Sequence, residues 1–425
     1  MKKKIFFICI LICVFPFVYA QQKTKNYGEN LQKLYTCLSK TPSFRAQIKG
    51  NILKEYNLLF EKLKKDTIHL KTYFDDFVHY SQLFFYLKDN HLGFSQVDVR
   101  AAFDSTSSKN AELIEKYKAS KMNKDFPVAN LNIDSLEQVM LNKKIDEVEG
   151  IYYYDKYIKM GLYKKVNTNQ YFGVVLFSSM PQWTRGQICA VLYEQKPLYF
   201  RALYANPVYK NFILYNNEKF RNLSLINSSF YLAVDDAVYS KKINANDFIN
   251  IPSKQSQFQY KKIDQNTQYV RLGNFSAMNK DVVVSQKFYD QIKDSLNAKM
   301  LIVDLRNNGG GAEKISKKFL KLFTEFAKKN KIAVLINNGT MSEGELFTLR
   351  LKKIKNVKVF GQQTKGTITY GSNYGKRETL DNGKFSIYIT DMVPNGNFLI
   401  YEDVGVAPDV FLTNEKEWIP QVLSW

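Results

Sequence analysis

A chain of 425 residues is longer than one hydrophobic core usually serves, so two or three domains are expected. Hydrophobic residues at 45% and charged residues at 24% exclude a disordered protein, and 28 Tyr with 31 Phe suit aromatic-rich strands. The formal charge of +21 comes mostly from scattered lysines rather than Arg-rich blocks. That pattern argues against a nucleic-acid partner and for a solvated surface, compatible with one resting near an anionic cell envelope.

The first twenty residues read as an export signal. Lys2, Lys3 and Lys4 precede an apolar run from Ile5 to Val18, and Ala20 supplies a small cleavage boundary. The run is short of the ~20 residues a membrane-spanning helix needs, and no later stretch is long and apolar enough, so a secreted or periplasmic protein is expected. Removing the three signal lysines leaves about +18. Cys9 and Cys13 leave with the signal, and Cys37 and Cys189 are left to pair or stay free. No Cys or His spacing suggests a metal site, and neither metal nor cofactor is expected.

Residues 21–95 form the first expected unit. From about Asn26 to Leu87 apolar residues recur at three and four, as in Ile52, Tyr56, Leu59, Phe60 and Leu63, which predicts helices. Residues 96–255 read as an inserted region. It is polar and mainly helical to about Glu147, and the period becomes two from Gly150. Segments near Ile151 to Val166, Tyr171 to Ser178, Gly186 to Tyr193 and Leu198 to Tyr204 predict a small antiparallel β domain. Over 256–425, strands Tyr269 to Leu272, Met300 to Asp304 and Ile332 to Ile336 alternate with helices Val282 to Ser295 and Lys314 to Lys328. This alternation predicts parallel β-α-β units. The fold class is therefore multidomain α+β, with ligands expected beyond the carboxyl ends of the C-terminal strands.

Two such ends carry candidate chemistry. The strand ending at Asp304 runs into Leu305-Arg306-Asn307-Asn308-Gly309-Gly310-Gly311, where glycines let backbone N–H groups approach a ligand. The turn can hold an oxyanion or simply lead from strand to helix, and a phosphate cradle is the weaker reading because neither the dinucleotide fingerprint nor the P-loop ending is present. The strand ending at Ile336 is followed by Asn337-Asn338-Gly339-Thr340-Met341, and Ser342 opens a helix. A hydroxyl there lies at the positive end of the helix dipole, with the Glu343 N–H beside it. Ser342 followed by Glu345 is equally a capping box, which requires no catalysis.

Taken together, Asp304 to Gly311, Gly339 to Glu345 and Gly361-Gln362-Gln363-Thr364-Lys365-Gly366 resemble three ordered signatures of the tail-specific (C-terminal processing) peptidases, the tricorn protease core and interphotoreceptor retinoid-binding protein. The resemblance covers roughly Tyr269 to Leu412. It implies a C-terminal domain of the ClpP/crotonase-like type, a serine peptidase acting on peptide or protein substrates, and Ser342 as nucleophile. It also implies an oxyanion hole from Glu343 N–H with that of Gly309 or Gly310. Where the Ser-Lys branch carries its lysine, this chain has Thr367, and Lys365, two residues early, is expected at the loop surface.

A serine still needs a base. Of His69, His79 and His91, the first two fall in helical stretches, while His91 follows a helix in Lys88-Asp89-Asn90-His91-Leu92. That stretch resembles the Asp-x-His turn of the tricorn-like branch, which implies His91 as general base. Tyr401-Glu402-Asp403-Val404-Gly405-Val406-Ala407-Pro408-Asp409 resembles the Glu-x-x-Gly-Val-x-Pro-Asp run that carries the orienting carboxylate. Glu402 takes that role, with Asp403 as substitute and Asp409 bracing the turn. The competing class is a catalytically inactive peptide- or lipophile-binding protein of the same fold, as resemblance to the retinoid-binding branch permits.

Overall fold

The helical spacing of the first segment folds as α1 (26–39), α2 (Pro42–Gln47), α3 (Gly50–Lys65) and α4 (Tyr73–Ser81) in a computed structural model. The structure describes residues 26–97, 110–230, 233–242, 247–373, 375–394 and 396–425, so the expected export signal lies outside the described residues. Local chemistry fixes these helix starts. Thr41 accepts the Phe44 N–H at 3.2 Å with Pro42 in the first turn, and Thr72 and Asp75 form a reciprocal capping box. A turn through His91 leads into strand β1 (Gly93–Gln96).

Helices α5 (Ala111–Ala119), α6 (Lys121–Lys124) and α7 (Ile133–Leu141) precede eight antiparallel strands. These are β2 (Gly150–Tyr154), β3 (Ile158–Lys164), β4 (Gln170–Ser178), β5 (Ile188–Lys196), β6 (Tyr199–Ala205), β7 (Phe212–Arg221), β8 (Ser224–Leu225) and β9 (Tyr239–Ser240). They pair in the order β7-β6-β5-β4-β3-β2-β9-β8, and β8 pairs back onto β7, so the sheet closes as a barrel. The expected strand from 151 to 166 is in fact a hairpin, turned at Asp155, whose φ is 47°. Register shifts in β3–β4, β4–β5, β5–β6 and β6–β7 supply the bends that closure requires. Alternation puts Tyr152 and Tyr154 inside, against Tyr204, Tyr239, Phe220 and Phe230, so aromatic rings fill the interior.

The C-terminal segment opens with β10 (Phe258–Lys262) antiparallel to β11 (Thr267–Leu272). Then follow α8 (Asn279–Ile292), β12 (Met300–Asp304), α9 (Glu313–Ala327), β13 (Lys331–Ile336), α10 (Glu343–Lys352) and β14 (Val357–Gly361). Hairpin β15 (Arg377–Leu380) and β16 (Phe385–Tyr388) precedes β17 (Val410–Phe411) and α11 (Trp418–Leu423). Strands β11, β12, β13, β14 and β17 are parallel neighbours in sequence order. Phe288, Phe319, Phe323 and Phe347 cover one face of this sheet, and Trp418 and Val422 cover the other.

The units are not separate bodies. Leu34, Tyr56 and Phe77 of the helices, Leu192 and Phe212 of the barrel, and Phe385 of the C-terminal hairpin belong to one buried core. The β15–β16 hairpin leaves the α/β layer and pairs with β1, which in turn pairs with β7. Phe94 of β1 stacks on Phe77 at 4.8 Å and Phe84 at 4.9 Å, which anchors the turn carrying His91. Cys37 is half-buried and Cys189 buried, and both are unpaired.

Candidate active site

The turn after β12 is held from below. Asp304, fully buried, makes an ion pair of 2.6 Å with Arg306 and accepts the Tyr269 hydroxyl at 2.9 Å. Its carboxylate is thereby occupied by structure. Asn308 ties the turn to its neighbours, donating from Nδ2 to Leu272 O at 2.8 Å and accepting the Met341 N–H on its carbonyl at 3.0 Å. Gly311 sits at φ 137°, and a Cβ there would fall 2.0 Å from Phe275 O. Gly310, at φ 79°, leaves no room for a side chain either, since a Cβ would meet Ser342 Cβ at 2.7 Å and Glu343 N at 3.1 Å. The glycines therefore let the first turn press directly against the second.

Ser342 is strained. Its φ and ψ are 54° and −123°, outside the extended region that an N-capping residue normally takes. The reciprocal Ser342–Glu345 box is present, yet it does not account for this backbone geometry. A serine on a sharp, strained strand-to-helix turn is the geometry that exposes a nucleophilic hydroxyl. Three amides were expected beside it. The Gly310 N–H is taken by Asn308 Oδ1 at 2.9 Å, and the Gly309 N–H reaches Gly273 O at a long 3.3 Å. Glu343 N–H heads α10, has no intrahelical acceptor, and makes no other hydrogen bond among the described residues.

The loop after β14 joins this turn to the rest of the site. Ser342 N–H donates to Thr367 O at 2.9 Å. Glu345, fully buried, accepts from Ser342 N (3.1 Å), Thr364 Oγ1 (2.5 Å), Gly366 N (2.8 Å) and Thr367 N (2.9 Å). Burial raises its pKa, with those four donors opposing. One or two residues on, Glu402 Oε2 accepts Ile368 N at 3.0 Å and Thr369 N at 2.8 Å, while Oε1 accepts Asn90 N at 2.8 Å. Asn90 Nδ2 also reaches Gly366 O at 2.6 Å. Segments 366–369, 90–91 and 402–403 thus share one hydrogen-bonded patch.

Gly310 packs against Ser342 and Glu343, and the 366–369 segment ties the Ser342 turn to Glu402 and, through Asn90, to the turn that carries His91. No hydrogen bond joins the His91 ring to Glu402 or Ser342 among the described residues, and His91 Nδ1 is buried without a partner. Burial, and then the ammonium of Lys365, lower the His91 pKa to about 4. Burial raises the Glu402 pKa to about 7 against its three backbone donors. Lys365, expected at the loop surface, is partly buried, and loss of hydration lowers its pKa despite Glu218 and Glu345. Thr367, at the lysine place of the Ser-Lys branch, has a buried Oγ1 with no partner. Asp403 pairs with Arg201 at 3.2 Å, and Asp409 braces β14 through Val359 N at 2.9 Å and Lys352 at 2.7 Å.

Several residues that shape the site were not legible as such. Glu345 read only as a helix cap, and Asn90 as a neighbour of His91. The barrel strand β7 contributes most. Asn216 Nδ2 donates to Leu92 O at 3.1 Å, Asn217 Nδ2 to Lys365 O at 2.7 Å, and Lys219 Nζ to Lys365 O at 2.9 Å. The signal for this was the polar run Asn216-Asn217-Glu218-Lys219, which is anomalous inside an otherwise aromatic strand region.

Residues 313–412 match the model of peptidase family S41, so the resemblance to the tail-specific peptidase superfamily holds over that segment. It contains Ser342, Glu343 and Glu402; Gly309, Gly310 and His91 lie outside it. Over 117 residues, 27% of this chain, the sequence is 32% identical to the nisin-resistance protein of Lactococcus lactis subsp. lactis. The chain spans about a third (34%) of the length of that curated relative. Among solved structures, the photosystem II D1 C-terminal processing protease is 15% identical at a TM-score of 0.35, covering 92% of this chain and 94% of its own. A putative peptidase from Parabacteroides merdae is 14% identical at 0.37, covering 94% and 92%. A lipoprotein from Streptococcus agalactiae is 18% identical at 0.29, covering 40% and 69%. At these scores the likeness has no bearing on activity.

Proposed function

We propose that this chain, which matches peptidase family S41 over residues 313–412, is an exported serine peptidase that cleaves peptide bonds through an acyl-enzyme on Ser342. The observation that carries the reading is the Ser342 backbone, held at φ 54° on a strand-to-helix turn. An ordinary helix cap gives no reason for that strain, whereas a nucleophile presented to substrate does. The export signal at residues 1–20 supports a secreted or periplasmic location. No helix of the described residues is long and apolar enough to cross a membrane. The α/β layer over 256–425 is read as the ClpP/crotonase-like type, with the helical unit at 21–95 and the inserted region at 96–255.

In this reading His91 is the general base. Buried beside the Lys365 ammonium, the imidazole is neutral at pH 7, the form that accepts a proton, and the same shift makes it a weaker base than a free histidine. The hydroxyl attacks the substrate carbonyl, and the oxygen that becomes negative turns to the Glu343 N–H, the freest of the three candidate amides, with the weakly engaged Gly309 N–H as second donor; the Gly310 N–H is committed to Asn308. The imidazolium returns its proton to the leaving amine, and water releases the acyl group. Glu402 holds the turn next to His91 through the Asn90 N–H, and it is the ionised form of Glu402 that favours the charged imidazolium.

Glu402 also supports a second reading, a non-catalytic peptide- or lipophile-binding protein, because both its oxygens are taken by backbone N–H groups rather than the imidazole. A fluorophosphonate probe separates the two. Labelling that disappears in Ser342→Ala is expected. Folded protein that stays unlabelled excludes the peptidase.

A further inference from the structure

Beside the catalytic loops lies a second feature that the chemistry above does not use. A cavity of about 960 Å³ opens between the barrel and the α/β layer, bounded by the ends of β2, β3 and β7 and by the turns at 307, 338–339 and 362–365. It is at the top of the roughly 300–1,000 Å³ common for ligand sites. Its floor is built from primary amides. Asn222 Nδ2 donates to Gln362 Oε1 at 3.1 Å, Asn414 Nδ2 donates to Asn222 Oδ1 at 2.7 Å, and Gln362 closes the ring onto Asn414. A second pair, Asn338 Nδ2 to Asn227 Oδ1 at 2.9 Å, stands beside it. Arg221, whose Nε is buried without a partner, reaches Asn338 Oδ1 at 3.3 Å.

A primary amide carries two N–H donors and two acceptor sites, and the ring uses one of each on every member. What remains is a fixed set of alternating donors and acceptors with the side chains already held in place. Such a floor is complementary to a neutral ligand that itself alternates N–H and C=O. The walls select no ion, because Asp235 and Asp236 are interleaved with Lys156 and Lys242. Tyr153 and Phe177 line the same space, and Phe177 is 59% exposed, so apolar side chains find contact there. The cavity also reaches Gly339 and Lys365, which belong to the two loops that hold Ser342. We propose that this cavity binds an extended polypeptide segment through its main chain, away from the scissile bond, which makes the protein selective for long, unfolded substrates. The proposal rests on the peptidase reading for its purpose but not for its test.

Binding is measured in the Ser342→Ala background, so that the probe stays intact, using a fluorescein-labelled casein fragment and fluorescence anisotropy. Ser229 is exposed, lines the cavity and lies outside the amide ring. Ser229→Trp fills the space and is expected to weaken binding about tenfold. The Gln362→Ala/Asn414→Ala pair does the same by dismantling the ring. In protein that retains Ser342, the KM for the long peptide rises while hydrolysis of a small activated ester is unchanged. Unchanged anisotropy in Ser229→Trp overturns the proposal. So does displacement of the casein fragment by a soluble oligosaccharide but not by unlabelled casein peptide. Peptide binding that responds to Ser229→Trp in a protein no fluorophosphonate labels removes the peptidase and leaves the cavity assignment standing.

Discussion

The Ser342 turn and the His91 turn, each tied to the 366–369 segment, are built in opposite ways. The Ser342 turn is fixed within its own layer: neighbouring parallel strands end side by side, glycine lets them touch, and Glu345 three residues on pins the backbone. The His91 turn takes from its own segment the Asp89 contact to Leu92 N–H and the stacking of Phe94 on Phe77 and Phe84, but distant stretches supply the rest. It is held by a β1 strand wedged between β7 and β16, by Asn216 of the barrel, and by the C-terminal loop at 402–403. The Ser342 turn is thus encoded locally, whereas the His91 turn depends on three distant stretches of chain being folded first.

The sharpest way to break this comparison is at Ser342. Ser342→Ala is expected to lower kcat/KM by about 10⁴-fold or more without loss of structure. Ser342→Gly should be as inactive yet gain about 1 kcal/mol in urea unfolding, because glycine tolerates φ 54°. A loss of stability in the glycine variant would mean that the turn is not strained.

On the other side, His91→Ala is expected to reduce kcat by about 10³-fold. With its pKa near 4, His91 gives activity that is present at neutral pH and lost as pH falls through 4. Stability follows the same group. Between its ordinary 6.5 and its folded value near 4 the unfolded chain binds the proton more readily, so stability declines as pH falls across that window. Glu402 works in reverse: its contribution is full below 4.5 and is lost as pH rises through about 7. Urea titrations against pH should show the acid-side decline flattened in His91→Ala and the neutral-side decline flattened in Glu402→Gln.

The tertiary supports have smaller effects on rate. Phe94→Ala removes the stacked anchor of β1 and should cost about 4 kcal/mol of stability. Asn217→Ala with Lys219→Met releases the Lys365 carbonyl and should reduce kcat about tenfold by letting the 364–369 loop shift. Lys365→Ala should change kcat by less than about threefold while moving the acid limb to higher pH, because the ammonium that opposes protonation of His91 is gone. A large loss there with an active His91→Ala would transfer the base to the lysine.

Much of the local architecture was legible. The strand from Met300 to Asp304 stands where apolar periodicity put it, and Ser342 does precede a helix, α10, because strand, turn and cap signals are short-range. The 151–166 segment was misread as one strand because Asp155 gives no strong turn signal, and β7 was missed because its polar run interrupts the alternation that marks a strand. That run is polar because it donates to backbone carbonyls of Leu92 and Lys365 in the loops it faces, a reason invisible without them. Lys365 was placed at the surface because lysine usually is, and only the packing of the barrel against its loop covers it.

Sequence by itself determined the chemistry on offer: one serine at a helix start, a glycine turn able to approach it, a histidine in the turn after a helix, and an acid in a turn near the end. His69, expected within a helix, also lies in a turn, between α3 and α4. Tertiary structure alone decided which of these could meet. Backbone geometry within a few residues is set by side-chain sterics and nearby hydrogen bonds, so it can be read along the chain. The approach of residue 90 to residue 402 is set by a shared core and a closed barrel, and those exist only once the whole chain has packed.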